Sequence, residues 1–429
     1  MRRRKKQRKT ILAKVKTRGT AADASRESDR PEIGARRWLM LAVKYLPLLV
    51  LALLMSFVSS RAGLISEWQT TSLNLQMRLD MPSEESSVVI VDITQEDFDE
   101  IFKGQTRPLN PDALHRVVSA VVKGNPCVVG VDIDTSFPQF KNFSLTDAMS
   151  NVVWSRETAQ LPKDVNESVV PLDVLGGQNA AYNERSGIPF LIDDSKRIPR
   201  YYTHLIKTTE GDVPSFAWAV IKEGIRRNCE GIRFPAIVET PERYIIGYSR
   251  GSDGAGRTRV SASDILKFSE DPEWRNNNLI KNKIVLLGGT YLGEDQSDTP
   301  IGPMSGVEII ANVIESDLRG GVKTPGFVSM SLLQIFDGML LVALFQIFSW
   351  RKAFLMSLPF IVLVALACSF FTYYSFSYWL FFAPIMVGVV FTELFVKVND
   401  FFKKRYQREI RSTYEHLGGR VIQKAAVDE

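Results

Sequence analysis

The sequence contains few of the residues on which enzyme active sites and metal centres depend. Only three histidines and three cysteines occur among 429 residues. The cysteines form no CxxC pair and have no metal-type spacing. There is no Walker sequence, GxSxG or HExxH motif, and the glycine-rich stretch at 251–256 does not lead from a strand into a helix as a dinucleotide loop does. The sequence therefore predicts no catalytic residue, no Cys- or His-based metal site and no cofactor, and we expect a protein that is not an enzyme.

Net positive charge is confined to the first 37 residues. That segment has fourteen Lys and Arg against four Asp and Glu, a net charge of +10, whereas the whole chain carries only +5. The remainder is acidic overall, so we expect no nucleic-acid partner. The basic run Arg2–Lys6 could bind RNA, but it adjoins an apolar run and has no interleaved aromatic residues. It is better interpreted as a cytoplasmic tail that touches anionic membrane lipids.

The chain does have long apolar runs, and there are four of them: 38–59, 328–348, 354–373 and 376–396. Each is about the 20 residues that a helix needs to cross ~30 Å of hydrocarbon. We therefore predict four transmembrane helices, one before and three after a polar stretch at 60–327. The alternative for the first run is a cleaved signal peptide, but the basic segment before it is unusually long for one.

Basic residues orient these runs, because Lys and Arg flanking a transmembrane helix stay in the cytoplasm. The tail 1–37 is then inside and residues 60–327 are outside. The later loops agree: 350–352 is basic and falls inside, whereas Tyr374–Ser375 has no basic residue and falls outside. We expect a multi-pass protein of a bacterial inner membrane with both termini cytoplasmic, including a short helical tail at 397–429.

Three ionisable residues lie within the apolar runs. Asp337 is near the middle of the second run, where a carboxyl group is costly. It is either a pivot for helix packing and signalling, or a protonated group with a local hydrogen bond. Lys44 and Glu393 lie at similar depths in the first and fourth runs, so they either form an ion pair or extend separately to the headgroups.

The exported stretch is predicted to be an α/β domain with a mixed, largely parallel sheet and flanking helices. Two β-branched runs at 88–93 and 127–133 enclose an amphipathic helix at 111–123, and such a strand–helix–strand unit implies parallel pairing. The other predicted elements are a stalk helix at 64–77, strands at 188–192, 201–206, 244–248 and 283–288, and helices at 214–226 and 306–317.

Polar residues follow the predicted parallel strands. In open α/β sheets, ligands bind beyond the carboxyl ends of the strands. We expect the candidate ligand-binding residues to meet there: Asp92, Arg107, Asp132, Asp134, Thr290 and Asp298. They could bind a small ligand or a hard cation, since Ca²⁺ and Mg²⁺ prefer carboxylate oxygens. The alternative is structural, with carboxylates that close turns, cap helices or pair with Arg107 or His115.

Two of the three cysteines lie in the exported stretch. An oxidising compartment permits a disulfide between Cys127 and Cys229, and the alternative is that Cys127 is free and buried. Cys368 lies inside the third apolar run.

Short motifs recur in order along the exported stretch: Val89–Asp92, Arg107–Leu109, Gly130–Asp132, Phe137–Pro138, Pro214–Ala217, Ser261–Leu266, Lys281–Thr290, Asp298–Pro300, Gly306–Glu308 and Ala311–Asn312. In these motifs the chain resembles the second type of CHASE domain, an extracytoplasmic sensory module of bacterial receptor cyclases, histidine kinases and diguanylate cyclases. The resemblance implies one membrane helix before the sensor and three after it, and receptors of this kind commonly form homodimers.

Only 33 residues follow Val396, too few for a cyclase or kinase domain. The first hypothesis is a sensory membrane protein that binds a ligand or protein in the periplasm and signals through a separate cytoplasmic partner. The second is the input half of a receptor cyclase or kinase whose output domain is missing. The third is an envelope scaffold.

Overall fold

The computed structural model describes most of the exported stretch and short pieces beyond it: residues 66–79, 86–105, 108–160, 167–177, 180–194, 196–234, 243–249, 257–277, 279–293, 295–323, 332, 363–364, 366–376, 378–380, 397–398, 401–402 and 404–409. Among these residues, none of the helices combines the length and the apolar character needed to span a bilayer. The predicted crossing at 38–59 lies outside the described residues, and the other three are described only in part. Lys44, Asp337 and Glu393 also lie outside them, so their interpretations stay predictions.

The chain divides into two units. One comprises Met1–Glu67, Gly326–Leu366 and Phe381–Glu429. The other comprises Trp68–Pro325 and Ala367–Leu380, and it holds all the strands that the structure describes.

The described helices are α1 (Ser66–Leu79), α2 (Gln95–Glu100), α3 (Pro111–Lys123), α4 (Phe216–Arg227), α5 (Ala262–Phe268) and α6 (Gly306–Leu318). The strands are β1 (Val88–Ile93), β2 (Val128–Asp132), β3 (Val152–Ser155), β4 (Ser186–Gly187), β5 (Ile192–Asp193), β6 (Pro199–Tyr202), β7 (Leu205–Thr208), β8 (Gly211–Pro214), β9 (Tyr244–Ile245), β10 (Arg259–Ser261), β11 (Ile284–Gly289), β12 (Gln296–Thr299) and β13 (Gly302–Ser305).

A six-stranded sheet of order β10-β1-β11-β2-β3-β4 forms the centre of the domain, and every neighbouring pair in it is parallel. The mixed α/β fold with a largely parallel sheet is therefore confirmed. The expected direct pairing of β1 with β2 is wrong, because β11 lies between them. Residues 284–287 of β11 are completely buried, and a strand covered on both faces belongs at the centre of a sheet.

Helices cover both faces of this sheet. Helices α3 and α5 share a core with Val89, Val91 and Val129, which point to one face. Helices α4 and α6 pack on the other face. There α4 crosses β2 so closely that a Cβ on Gly130 would lie 3.0 Å from the side chain of Val220 and 3.2 Å from that of Phe216. Close helix–sheet contact therefore explains the glycine in this strand.

The predicted helix at 111–123 is confirmed with the same limits, and its local sequence explains them. The Asn110 side chain accepts hydrogen bonds from the amides of Asp112 and Ala113. Pro111 occupies the first helical position, where no intrahelical N–H bond is lost.

The predicted strand at 201–206 is wrong as one element. Its first part is β6, which pairs with β5 and β9, and its second part is β7, which pairs with β8. Thr203 and His204 separate the two strands and are completely buried, so the chain changes sheets at this point. The predicted strand at 188–192 is not one strand: Ile188 forms an isolated bridge with Ser215, and Ile192 begins β5.

Cys127 and Cys229 form a disulfide, with their Cα atoms 5.7 Å apart. This settles the choice between a disulfide and a free buried Cys127. The bond joins the segment before β2 to the segment after α4, and disulfides of this kind persist in oxidising compartments.

Candidate functional site

The crevice is formed where the central parallel strands end. In the register of the sheet, Gly288 of β11 lies between Asp92 of β1 and Asp132 of β2. The first turn of α6 closes this edge, since the backbone N–H of Gly306 donates to Asp295 Oδ2 at 3.1 Å. The predicted meeting of polar side chains at the carboxyl edge thus takes place, but the crevice has two halves of different character.

One half, called the balanced half here, contains a guanidinium group that pairs with its carboxyl groups. Thr290 Oγ1 donates to Asp92 Oδ1 at 2.8 Å, and Arg259 Nη1 lies 3.9 Å from Asp92 Oδ2. Arg259 also forms an ion pair with Glu308 in the first turn of α6. Burial raises the pKa of Asp92, although Thr290 and Arg259 act in the opposite direction. These contacts connect β1, β10 and the end of β11 to α6. Asp92 and Thr290 therefore have a structural role, which is the alternative that the sequence left open.

The other half, called the acidic half here, contains Asp132, Asp134, Glu157 and Asp295. Burial, followed by repulsion from Asp295 and Glu157, raises the pKa of Asp132 to about 7. Burial and then repulsion from Asp134 and Asp295 raise the pKa of Glu157. Asp295 is exposed at the surface, yet partial desolvation by its neighbours raises its pKa, against the effect of the hydrogen bond from Gly306. Repulsion from neighbouring carboxylates therefore adds to burial in disfavouring the ionisation of Asp132 and Glu157.

No ion pair with Lys, Arg or His neutralises the acidic half within the part of the chain that the structure describes. Ser155 lies at the end of β3 beside Asp132 and is only 2% exposed. Its hydroxyl faces Asp132, and its interaction with that carboxyl group acts to lower the pKa of Asp132, against the larger effect of burial.

The remaining predicted site residues do not all meet in the crevice. Asp298 lies exposed on β12, in a separate hairpin with β13. Asp134 accepts hydrogen bonds from the amide and hydroxyl of Ser136, so it closes a turn as well as facing Glu157. Arg107 lies outside the described residues. Among the residues described, no three Asp, Glu, His or Cys are arranged to hold a metal ion, so the hard-cation interpretation gains no support.

Sequence reasoning missed Ser155, Glu157 and Asp295. The first two depend on β3, whose four residues form too short an apolar run to predict a strand. Asp295 lies in the Gly- and Asp-rich loop before α6, so its position just ahead of a predicted helix was the available signal.

A second polar cluster lies at the other end of α6. Asp317 Oδ1 accepts a hydrogen bond from Tyr202 OH at 2.5 Å and lies 3.2 Å from His204 Nε2. The ring of His204 stacks between Trp218 and Tyr244, with centroids 4.1 and 4.6 Å away. The three polar side chains are almost completely buried, so this cluster fixes the end of α6 against β6.

Replacing Asp317 with Ala is expected to lower the free energy of unfolding by about 3–5 kcal/mol, because Tyr202 and His204 then lose their shared acceptor in the interior. Thermal unfolding followed by tryptophan fluorescence measures the change. The control is Asp298→Ala, which removes an exposed carboxylate. Equal stability of the two variants would contradict the structural role of the cluster.

A scan against protein-family models matches residues 48–350 to the CHASE2 domain. No curated protein and no solved structure is significantly similar to the chain. The match covers the whole central sheet, both halves of the crevice and α6. The chain therefore belongs to the CHASE2 domain family, the extracytoplasmic sensory domains of signalling proteins.

Proposed function

We propose that this chain is an integral membrane sensory protein rather than an enzyme. Its CHASE2 domain binds a ligand or protein outside the inner membrane. Binding changes the conformation of the domain, and four transmembrane helices transmit that change to a separate cytoplasmic partner. The protein acts as a homodimer. Ligand binding drives such a change only if it favours one of two states of the domain. The crevice at the carboxyl edge of the sheet is the input site in this proposal.

The observation that carries the membrane topology concerns residues 367–380, which contain the loop predicted to lie outside. This segment belongs to the same structural unit as the sensory domain. Gln76 Nε2 donates to Ser369 Oγ at 2.7 Å, Tyr374 OH donates to the Gln76 carbonyl, and the Trp379 amide donates to the Lys323 carbonyl. Tyr374 lies in this loop, and Ser369 and Trp379 lie close to it in the ends of the predicted crossings. These contacts support a loop on the same side of the membrane as the exported domain, as four crossings require.

Helix α6 offers a route from the crevice towards the membrane. In its first turn, the backbone N–H of Gly306 donates to Asp295 in the acidic half, and Glu308 pairs with Arg259 in the balanced half. Its last turn carries Asp317 in the buried cluster, and residues 319–327 then separate it from the second predicted crossing. A change of charge in the crevice therefore acts directly on the helix that precedes this crossing.

Labelling of single cysteines in intact cells tests the topology. In a Cys368→Ser background, Ser375→Cys is expected to react with a membrane-impermeant maleimide from outside. Ser412→Cys is expected to react only after the membrane is permeabilised, because the tail is predicted to be cytoplasmic. Protection of Ser375→Cys in intact cells would contradict the four-crossing arrangement.

The signalling role has its own test, which is purification of the complex in mild detergent and identification of the co-purifying proteins. A cytoplasmic signalling enzyme supports a sensor. A set made only of envelope proteins contradicts signalling and favours the scaffold.

A further inference from the structure

We infer that the small sheet of β5, β6 and β9 is the output element of the sensory domain, because it holds the chain segments that lead to all four predicted crossings. The inference rests on the proposed function, and it names the part of the domain that moves the membrane helices. It depends on two features of the described residues, which are backbone bridges that extend this sheet and buried side chains of β6 that hold α1 and α6.

Two backbone bridges extend the small sheet towards the membrane. Strand β9 pairs with β6, and Ile245 of β9 forms an antiparallel bridge with Val322, just after α6. The next residue, Lys323, forms a parallel bridge with Tyr378, and its carbonyl accepts a hydrogen bond from the Trp379 amide at 2.9 Å. The segment that leaves α6 for the second predicted crossing is therefore bonded both to the small sheet and to the start of the fourth.

A buried arginine holds α1, which follows the first predicted crossing. Arg200 lies on β6 and is only 2% exposed, and its Nη1 donates to Asn74 Oδ1 of α1 at 2.8 Å. Asp194, between β5 and β6, pairs with the same guanidinium group and balances its charge. Two residues further along α1, Gln76 donates to Ser369 Oγ at 2.7 Å, in the outer end of the third predicted crossing. The first and third crossings are thus joined to each other and to β6.

The same strand holds the end of α6. Tyr202, two residues after Arg200 on β6, donates from its hydroxyl group to Asp317 Oδ1 at 2.5 Å. Both side chains of β6 are almost completely buried, so neither helix shifts along this strand without breaking a hydrogen bond in the interior. A movement of β6 therefore displaces α1 and the end of α6 together, through a contiguous set of contacts.

Hydrogen exchange of the full chain in lipid nanodiscs tests the inference with Arg200→Met, which removes the guanidinium group that reaches α1. We expect amide protection to fall by about tenfold or more in both 70–79 and 319–323, with little change in the central strands β1, β11 and β2. The side chain of Arg78 donates to the Pro300 carbonyl and keeps α1 on the domain in this variant, so the measurement reports coupling rather than detachment.

Arg156→Met is the matched control, because Arg156 is another buried arginine, and it pairs with Glu210 in the β7–β8 hairpin. We expect it to lower the protection of its own neighbours, residues 169–173 and 208–212, and to leave 319–323 unchanged. If Arg200→Met does not fold, Asn74→Ala removes the same hydrogen bond from the side of α1. This milder variant should still lower the protection of 319–323 several-fold.

Two results would overturn the inference: unchanged protection of 319–323 in the variants of Arg200 and Asn74 that fold, or an equal loss of protection there in Arg156→Met. The second would mean that these residues respond to any loss of stability. A failure here leaves the labelling of Ser375→Cys and Ser412→Cys unaffected, so the output element and the membrane topology are tested separately.

Discussion

Replacing Asp132 with Asn is expected to stabilise the protein above pH 7 and to reduce the pH dependence of its stability. Burial and repulsion from Asp295 and Glu157 raise the pKa of the folded-state carboxyl from 3.8 to about 7. Between these values the folded state keeps a proton that the unfolded state has lost. The stabilising contribution is therefore complete below about pH 4 and is lost as the pH rises through 7.

The size of this effect follows from the same shift. It amounts to at most about 4 kcal/mol, and partial exposure of the side chain makes about 1–4 kcal/mol the expected range. Asn has the shape of the protonated carboxyl and cannot ionise, so the variant should keep its stability from pH 5 to pH 8. Denaturation curves at several pH values measure this, with Asp298→Asn as the exposed control. Parallel pH profiles for the Asp132→Asn and wild-type proteins would contradict the assignment.

Removal of the disulfide is expected to lower the free energy of unfolding by a similar or larger amount. Cys127 and Cys229 are separated by 102 positions in the sequence, and a crosslink that closes so long a loop restricts the unfolded chain strongly. The double Ser variant should lose about 3–5 kcal/mol, with a melting temperature lower by roughly 6–15 °C.

The third cysteine provides the control for this experiment. Cys368 is free and exposed, so Cys368→Ser should melt like the wild type. A reducing agent should lower the melting temperature of the wild type but not that of the double Ser variant. A wild-type protein that is indifferent to reduction would show that the bond contributes little to stability.

Local patterns predicted the parts of the fold that depend on neighbouring residues. The buried strand β1 and helix α3 were predicted with their observed limits. A continuous β-branched run indicates a buried strand, and a capped amphipathic stretch indicates a helix, from local sequence alone. The meeting of Asp92, Asp132 and Thr290 at one edge followed from the polarity of parallel strands.

The order of the strands depends on contacts between distant parts of the chain, which local patterns do not report. Strand β11 begins at Ile284, far along the chain from both β1 and β2, yet it lies between them. Strand β3 was not predicted from the sequence, so Glu157, which follows it, was not expected near the crevice. The division into a balanced and an acidic half depends on these long-range neighbours.

The central claim is that charge in the crevice controls α6 and the segment before the second predicted crossing. Hydrogen exchange of the full chain in lipid nanodiscs tests it by comparing Asp132→Asn with the wild type at pH 6 and at pH 8, with Asp298→Asn as control. At pH 8 we expect the protection of residues 306–323 to differ between Asp132→Asn and the wild type, and we expect the difference to shrink at pH 6, where Asp132 is mostly protonated. Unchanged protection of 306–323 at pH 8, with any difference confined to the loops beside residue 132, would contradict it.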